Sequence, residues 1–305
     1  MNDIATAANL STSNGLVTPR DGHPIFSHDL AFKAFEIEEL ADIYFFRPLG
    51  FLVARCAALL RMTPTQVTLL GALVGIAGGT LLYDQRLGLV AFVILILHGI
   101  IDSADGQLAR MTGRATELGR VLDGVGGYVT HAAIYIAIAV GVISRGGSGI
   151  IFVWMGLAAL ANTAQAQMYE YHRTGYATVV IKRQAPRNDP TKVSNSFVRF
   201  IFRGYLAVQS FLAGKHAEVE AVIVSRATAD SVRDDDRARY RDCFYKPVRG
   251  WNLFGDNTRF YAIGVLAYLH RIDLFFAFVL LPMNVAFIAF WIWQERADRR
   301  FLASL

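Results

Sequence analysis

The sequence predicts an all-α polytopic membrane protein, with six transmembrane helices preceded by an interfacial amphipathic helix. Three observations carry this. Of 305 residues, 54% are apolar and 18% charged, and the mean hydropathy is +0.35, too apolar for an ordinary soluble domain or a disordered chain. The apolar excess collects in charge-free runs, each approaching the ~20 residues that span a bilayer. The basic residues behind the net charge of +5 concentrate in a few polar segments. Soluble enzymes, coiled coils and secreted disulfide scaffolds are thereby excluded. Cys56 and Cys243 form no CxxC pair and read as background thiols.

The chain divides into five stretches. Residues 1–42 form a polar cytosolic tail. Up to about Ser27 it has no apolar core, so no cleavable signal peptide is expected. Residues 43–63 read as the amphipathic helix. Arg47, Arg55 and Arg61 fall within about a third of the circumference at about 100° per residue, suited to lipid phosphates. Residues 64–169 hold four spans: Val67–Tyr83, Leu87–Ile101, Val121–Ser144 and Gly149–Tyr169. Residues 170–257 form a helical cytosolic insert, too long for a plain connection, with helices expected at Ser194–Leu212, Lys215–Ala229 and Asp234–Tyr245. Residues 258–305 hold the last two spans, Phe260–Leu269 and Leu274–Gln294, and a basic tail.

The turns at 84–86 and 145–148 carry one arginine each, whereas 174–257 carries 14 basic and 9 acidic residues. The positive-inside rule then puts both termini, the insert and residues 102–120 in the cytoplasm. The expected location is a bacterial inner membrane.

The chemistry concentrates at residues 102–123. Asp102 and Asp105 are three apart and share a helix face. Asp123 opens the next span and can face them. Three converging carboxylates at a membrane boundary repel unless they hold a cation, and all-oxygen ligands favour Mg²⁺, Mn²⁺ or Ca²⁺ over zinc. Gly106 and Gly119 allow close approach of a nucleotide or pyrophosphate, and Arg110 can grip a phosphate oxygen. The plainer alternative is a salt-bridged helix end, with the acids paired to Arg110, Arg114 and Arg120.

Asp102, Asp105, Gly106, Ala109, Arg110, Gly119 and Asp123 match in register the pattern D-x2-D-G-x2-A-R-x8-G-x3-D-x3-D. This stretch resembles the signature of the CDP-alcohol phosphotransferase (CDP-alcohol phosphatidyltransferase) family. Thr63-Pro64-Thr65-Gln66-Val67-Thr68 is similar to the family's usual opening of its first span. The resemblance covers residues 43–170. It implies a homodimeric membrane transferase of phospholipid or related lipid synthesis. Such an enzyme moves a substituted phosphate from a CDP-linked donor to an alcohol and releases CMP. By resemblance, Asp102, Asp105 and Asp123 are metal ligands for Mg²⁺ or Mn²⁺, and Gly106, Ala109, Arg110 and Gly119 lie against the nucleotide and its phosphates. The donor would be CDP-diacylglycerol or a CDP-linked head group, and the acceptor a small alcohol or a lipid. No nucleic-acid partner is expected.

One position departs. The family's fourth aspartate falls at Gly127, and glycine can neither bind metal nor accept a proton. The alternatives are a pseudoenzyme that binds nucleotide or lipid or scaffolds partners, a slower one-metal enzyme, or another base. His131 stands one turn beyond Gly127 on the face of Asp123, and His98 one turn before Asp102. His131, with Asp123, is the catalytic candidate that would replace the lost base, helix joining being its alternative, whereas His98 reads as joining helices. Simple close packing by Gly124, Gly126 and Gly127, as by Gly71, Gly75, Gly78 and Gly79, is the blandest account.

A polar stripe of Asn162, Gln165, Tyr169 and Arg173 lines the fourth span. Tyr169 and Arg173 are the acceptor candidates, and interhelical bonding is the alternative. Residues 255–259 either cap the fifth span through Asp256 or Asn257 or complete an acceptor pocket.

Overall fold

The computed structural model describes residues 11–13, 16–18, 35–186, 209–228 and 231–305. Most of the expected tail and most of the helix expected at Ser194–Leu212 lie outside the described residues. Two three-residue strands, β1 (Ser11–Ser13) and β2 (Leu16–Thr18), pair antiparallel. Strands this short carry no core, and helices build the rest.

The chain forms two compact units, one on Leu40–Ile138 and one on Glu36–Glu39 with Ala139–Leu305. In the first unit a π-helical turn, Asp42–Phe46, leads into α1, Arg47–Leu59, with Pro48 in its first turn where proline is tolerated. Gly50, Ala54 and Ala57 form the buried face of α1, while Arg55 and Leu59 are exposed. A helix thus stands where the amphipathic one is expected.

The first span is α2, Pro64–Leu81. Its start is written in the sequence: Thr63 accepts from the Gln66 amide (3.3 Å), and the Gln66 side chain accepts from the Thr63 N–H (2.8 Å), a capping box. Asp84 ends the following turn by accepting from the Arg86 amide at 2.9 Å. The second span is α3, Gly88–Thr112, closed by Gly113 at φ 63°, the left-handed cap that glycine adopts without strain. The third is α4, Glu117–Ser144.

Glycines let α2 sit close to both neighbours. A Cβ at Gly78 would lie 3.0 Å from Ile94 of α3, and one at Gly79 2.9 Å from the Ile134 amide of α4. A Cβ at Gly75 would strike Thr130. The small-residue packing read from α2 is therefore present. Ala54, Ala57, Val67, Ile101, Ala104 and Leu108 join α1, α2 and α3 in one buried cluster.

In the second unit, α5 (Ile150–Tyr176) runs on through a π-helical turn to Ile181. Then follow α6 (His216–Arg226), α7 (Asp234–Trp251), α8 (Asp256–Tyr268), α9 (Phe275–Leu280) and α10 (Pro282–Ala303). Helix α7 starts at the expected residue and continues past Tyr245, through Pro247. Its polar groups tie α6, α7 and α10 together. His216 Nδ1 donates to Asp298 at 2.7 Å, and the Tyr240 hydroxyl meets His216 Nε2 at 3.0 Å. Gln294 donates to Asp298 at 3.1 Å, and Trp251 donates to Gln294 at 3.2 Å. Tyr240 and Phe244 pack against His216, and Phe301 packs on both of those rings. Burial raises the Glu220 carboxyl above the usual range, partly offset by His216 and the Tyr171 hydroxyl. Burial likewise raises the Cys243 thiol, which fits an unreactive cysteine.

Among the described residues, five helical stretches are long and apolar enough to span: Pro64–Leu81, Gln85–Thr112, Val121–Ser144, Ile150–Ile181 and Ile272–Ala303. The expected fifth span corresponds to α8. Its 13 residues give a rod of ~20 Å, short of the ~30 Å hydrocarbon core.

Candidate active site

The signature begins in the last third of α3. Asp105 is buried at 6% exposure, and its Oδ2 accepts a 2.6 Å hydrogen bond from the Thr68 hydroxyl on α2. Thr68 also reaches the Pro64 carbonyl at 3.1 Å. Asp123 and Arg110 lie within electrostatic reach of the Asp105 carboxylate, repelling and attracting it. Asp102 and Asp123 are exposed. Thus Asp105 is anchored, while its two companions face outward.

The glycines differ in what they permit. At Gly106 a Cβ would meet only Arg110, at 3.4 Å. The Gly119 amide donates to Thr116 Oγ1 at 3.0 Å, which caps the start of α4. A Cβ at Gly127 or Gly124 would meet nothing within 4 Å, whereas one at Gly126 would touch Ala72 at 3.3 Å. The close-packing account of residues 124–127 is corrected accordingly: it holds for Gly126 alone. The absence of a side chain at Gly127 leaves open space beside the signature.

The two histidines also separate. His98 Nδ1 meets the Gly71 carbonyl at 2.8 Å, so this ring joins α3 to α2. His131 Nδ1 meets the Gly127 carbonyl at 3.0 Å, within its own helix. A carbonyl only accepts, so Nδ1 carries the proton there, and in the neutral ring Nε2 is the basic nitrogen.

The acceptor candidates belong to the second unit. Arg173 Nη1 donates to the Tyr169 hydroxyl at 2.9 Å, and Nη2 pairs with Glu38 at 3.6 Å. Gln165 of the same stripe is structural: it donates to Asn284 at 2.8 Å and accepts from the buried Arg259 at 3.1 Å. Arg259 also donates to the Phe254 and Gly255 carbonyls. Neither Asp256 nor Asn257 caps α8. The Asn257 amide is instead committed to Glu39, at 2.8 Å.

The family model of CDP-alcohol phosphatidyltransferase matches residues 61–224, more than half of the chain. The chain belongs to the CDP-alcohol phosphatidyltransferase family. An archaetidylinositol phosphate synthase of Pyrococcus horikoshii is 32% identical over 93 residues, which are 30% of this chain and 49% of that protein. An uncharacterized protein of Aquifex aeolicus is 32% identical over 97 residues, 32% of this chain and 49% of the relative. The chain thus spans about half the length of the curated relatives it matches.

CDP-alcohol phosphatidyltransferases generally use divalent metal ions. The donor chemistry here fits one, because Asp102, Asp105 and Asp123 offer only carboxylate oxygens. Among the described residues, however, no three acids, histidines or cysteines gather into a group that could hold an ion. Sequence reasoning gave no role to Thr68. Its signals were its place in the Thr63–Thr68 stretch that resembles the family's opening of the first span and a hydroxyl at the start of an apolar run. It also missed the acidic segment 36–39, whose partners lie more than 130 residues away.

Proposed function

We propose that this protein transfers a substituted phosphate group from a CDP-linked donor to an alcohol acceptor, releasing CMP, in the synthesis of phospholipids or related lipids. The observation that carries the reading is Asp105, buried in the signature helix and anchored by Thr68 with Asp123 and Arg110 in reach. A charged group kept inside a membrane protein is functional by default. The similarity to an archaetidylinositol phosphate synthase supports a lipid product.

In this reading Asp102, Asp105 and Asp123 hold Mg²⁺ or Mn²⁺, which would neutralise diphosphate charge and favour displacement. Arg110 binds a phosphate oxygen. Gly106, Ala109 and Gly119 leave room for the nucleotide to lie against the backbone. His131, with Asp123, takes the proton of the acceptor hydroxyl at Nε2, and its Nδ1–H bond to Gly127 fixes that tautomer. Tyr169 and Arg173 orient the acceptor. The donor is CDP-diacylglycerol or a CDP-linked head group. The active face and both termini are cytoplasmic, in a bacterial inner membrane, and two copies form a homodimer.

The bare backbone at Gly127 favours a second reading, a family member that binds the donor without turnover. The experiment is CMP release by the purified protein with Mn²⁺ or Mg²⁺, with CDP-diacylglycerol and CDP-choline as donors against a panel of alcohols. Release that vanishes in Asp105→Ala and falls at least about tenfold in His131→Ala supports the transferase and its base. Wild-type rates in His131→Ala remove the histidine from the mechanism. Donor binding without release selects the second reading.

A further inference from the structure

The turn between α1 and α2 holds an arginine where glycine is the natural choice. The Arg61 amide donates to the Ala58 carbonyl at 3.0 Å, and the Met62 amide to the Ala57 carbonyl at 2.9 Å. This pair of bonds is a Schellman cap on α1, with Arg61 at the position that takes left-handed backbone. Arg61 adopts it, at φ 57°. Glycine enters that region freely, whereas a residue with a Cβ is strained there. Capping alone therefore does not explain an arginine. Strain kept at such a position points to a use for the side chain.

Arg61 is exposed, and no acid among the described residues pairs with it. It stands at one end of an open groove of about 480 Å³, whose other walls are Leu60, Met62, Gln66, Leu69, Leu70 and Leu73. The four leucines are 43–74% exposed, and no acid lines the groove. Gln66 commits its side-chain carbonyl to the Thr63 N–H, which leaves its NH₂ group for a ligand. From Gln66 to Leu73 the groove follows α2 for about 11 Å. All of these residues belong to the first unit. At about 100° per residue, none of Gln66, Leu69, Leu70 and Leu73 comes closer than about 100° to Thr68 around α2. The groove thus lies on the far side of that helix from the hydroxyl that anchors Asp105.

Such a groove asks for a molecule with two parts. Arg61 and the Gln66 amide offer donors and a positive charge to phosphate oxygens. The leucines offer an apolar wall. With α1 lying on the membrane surface, as its sequence pattern reads, the cation stands at head-group depth and the leucines reach toward the acyl chains. Leucines on a span accept any lipid tail. A cation at the end of their groove selects a tail that carries an anionic head group.

We propose that this groove binds one anionic phospholipid, with its phosphate on Arg61 and an acyl chain along Leu69, Leu70 and Leu73. The site is separate from the signature, so it stands whether or not the protein turns over a CDP-linked donor.

The test uses the full chain in phosphatidylcholine nanodiscs. Two photoactivatable lipids with the same acyl chains, a phosphatidylglycerol and a phosphatidylcholine, are added at equal trace fractions. Crosslinks within residues 60–73 are mapped by peptide mass spectrometry. The wild type is expected to favour phosphatidylglycerol in this segment by about fivefold, the scale of one interfacial arginine. Arg61→Gly should bring the ratio to within about twofold of one. The same variant should keep or raise the melting temperature in detergent, because glycine relieves the left-handed backbone. Arg61→Lys keeps the charge and should keep most of the preference.

A wild-type ratio near one overturns the proposal, either as equal labelling by bulk lipid or as no labelling because a second copy of the chain covers the groove. An unchanged ratio in Arg61→Gly also overturns it. Excess inorganic phosphate should leave the ratio alone; competition would make Arg61 a site for free phosphate and overturn the lipid. Asp105→Ala should leave it alone as well. Loss of the preference in that variant would make the groove part of the donor site and overturn it as a separate one.

Discussion

Each unit buries a carboxylate, and the two are held in different company. Asp105 in the first unit takes a hydroxyl bond from Thr68 and feels a second acid, Asp123, as a repelling neighbour. Its signature companions Asp102 and Asp123 are exposed. Asp298 in the second unit is 1% exposed and is bonded by both His216 and Gln294, which are themselves tied to Tyr240 and Trp251. Aromatic rings then seal that network. The second arrangement is closed and answers each polar group from within the protein, as a structural network must. The first sets Asp123 as a repelling neighbour and Arg110 as an attracting one beside Asp105. The proposed ligand site rests on that difference.

The sharpest way to break the comparison is to remove each acid. Asp105→Ala should cut CMP release by at least about 100-fold while leaving the thermal midpoint unchanged or slightly raised, because functional sites often carry destabilising charge. Asp298→Ala should do the reverse. It strands the His216 N–H and a Gln294 N–H in a sealed interior, and breaking a buried pair costs about 3–5 kcal/mol. Thermal unfolding of the two variants in detergent checks both. If Asp105→Ala unfolds the protein as readily as Asp298→Ala, Asp105 is a structural acid and the contrast collapses.

Thr68→Val sharpens the same contrast at smaller size. Valine keeps the volume and removes the Thr68 hydroxyl that donates to Asp105. Activity should fall about tenfold, the loss of one charge-assisted hydrogen bond of roughly 1.5 kcal/mol. Stability should change by about 1 kcal/mol, the net worth of a typical intramolecular hydrogen bond. A larger fall in melting temperature than in rate would make Thr68 a packing residue instead.

These residues also show what was legible beforehand. The spans announced themselves through charge-free runs, and the start of α2 through Thr63, Pro64 and Gln66, because caps are local chemistry. The signature was legible because its spacing is fixed along two consecutive helices. The bond between Thr68 and Asp105 was not, since a hydroxyl in an apolar span does not declare a partner 37 residues away. The acidic segment 36–39 was less legible still: Glu38 and Arg173 are paired by tertiary packing, which leaves no period in the sequence. Helix α5 outran its expected end at Tyr169 for a similar reason. Tyr171, His172 and Tyr176 are polar-tipped rings beyond the end of the apolar run, yet all three are buried.

The smallest expected effect concerns two glycines. Gly250 lies in α7 of the second unit, where a Cβ would strike the Phe290 ring and come within 2.8 Å of Trp293. Neither ring can retreat by bending, so Gly250→Ala should destabilise by about 1–3 kcal/mol through overpacking. Gly127 lies in α4, where a Cβ would meet nothing within 4 Å. Alanine there adds no clash and restricts the unfolded chain, so Gly127→Ala should stabilise by about 0.5–1 kcal/mol. The pair is read as melting temperatures of otherwise identical preparations. Opposite signs mean that the empty position in the signature is open by construction and that packing does not require glycine there. Equal destabilisation would mean that Gly127 is held by packing after all, and its missing side chain would lose its claim to a chemical meaning.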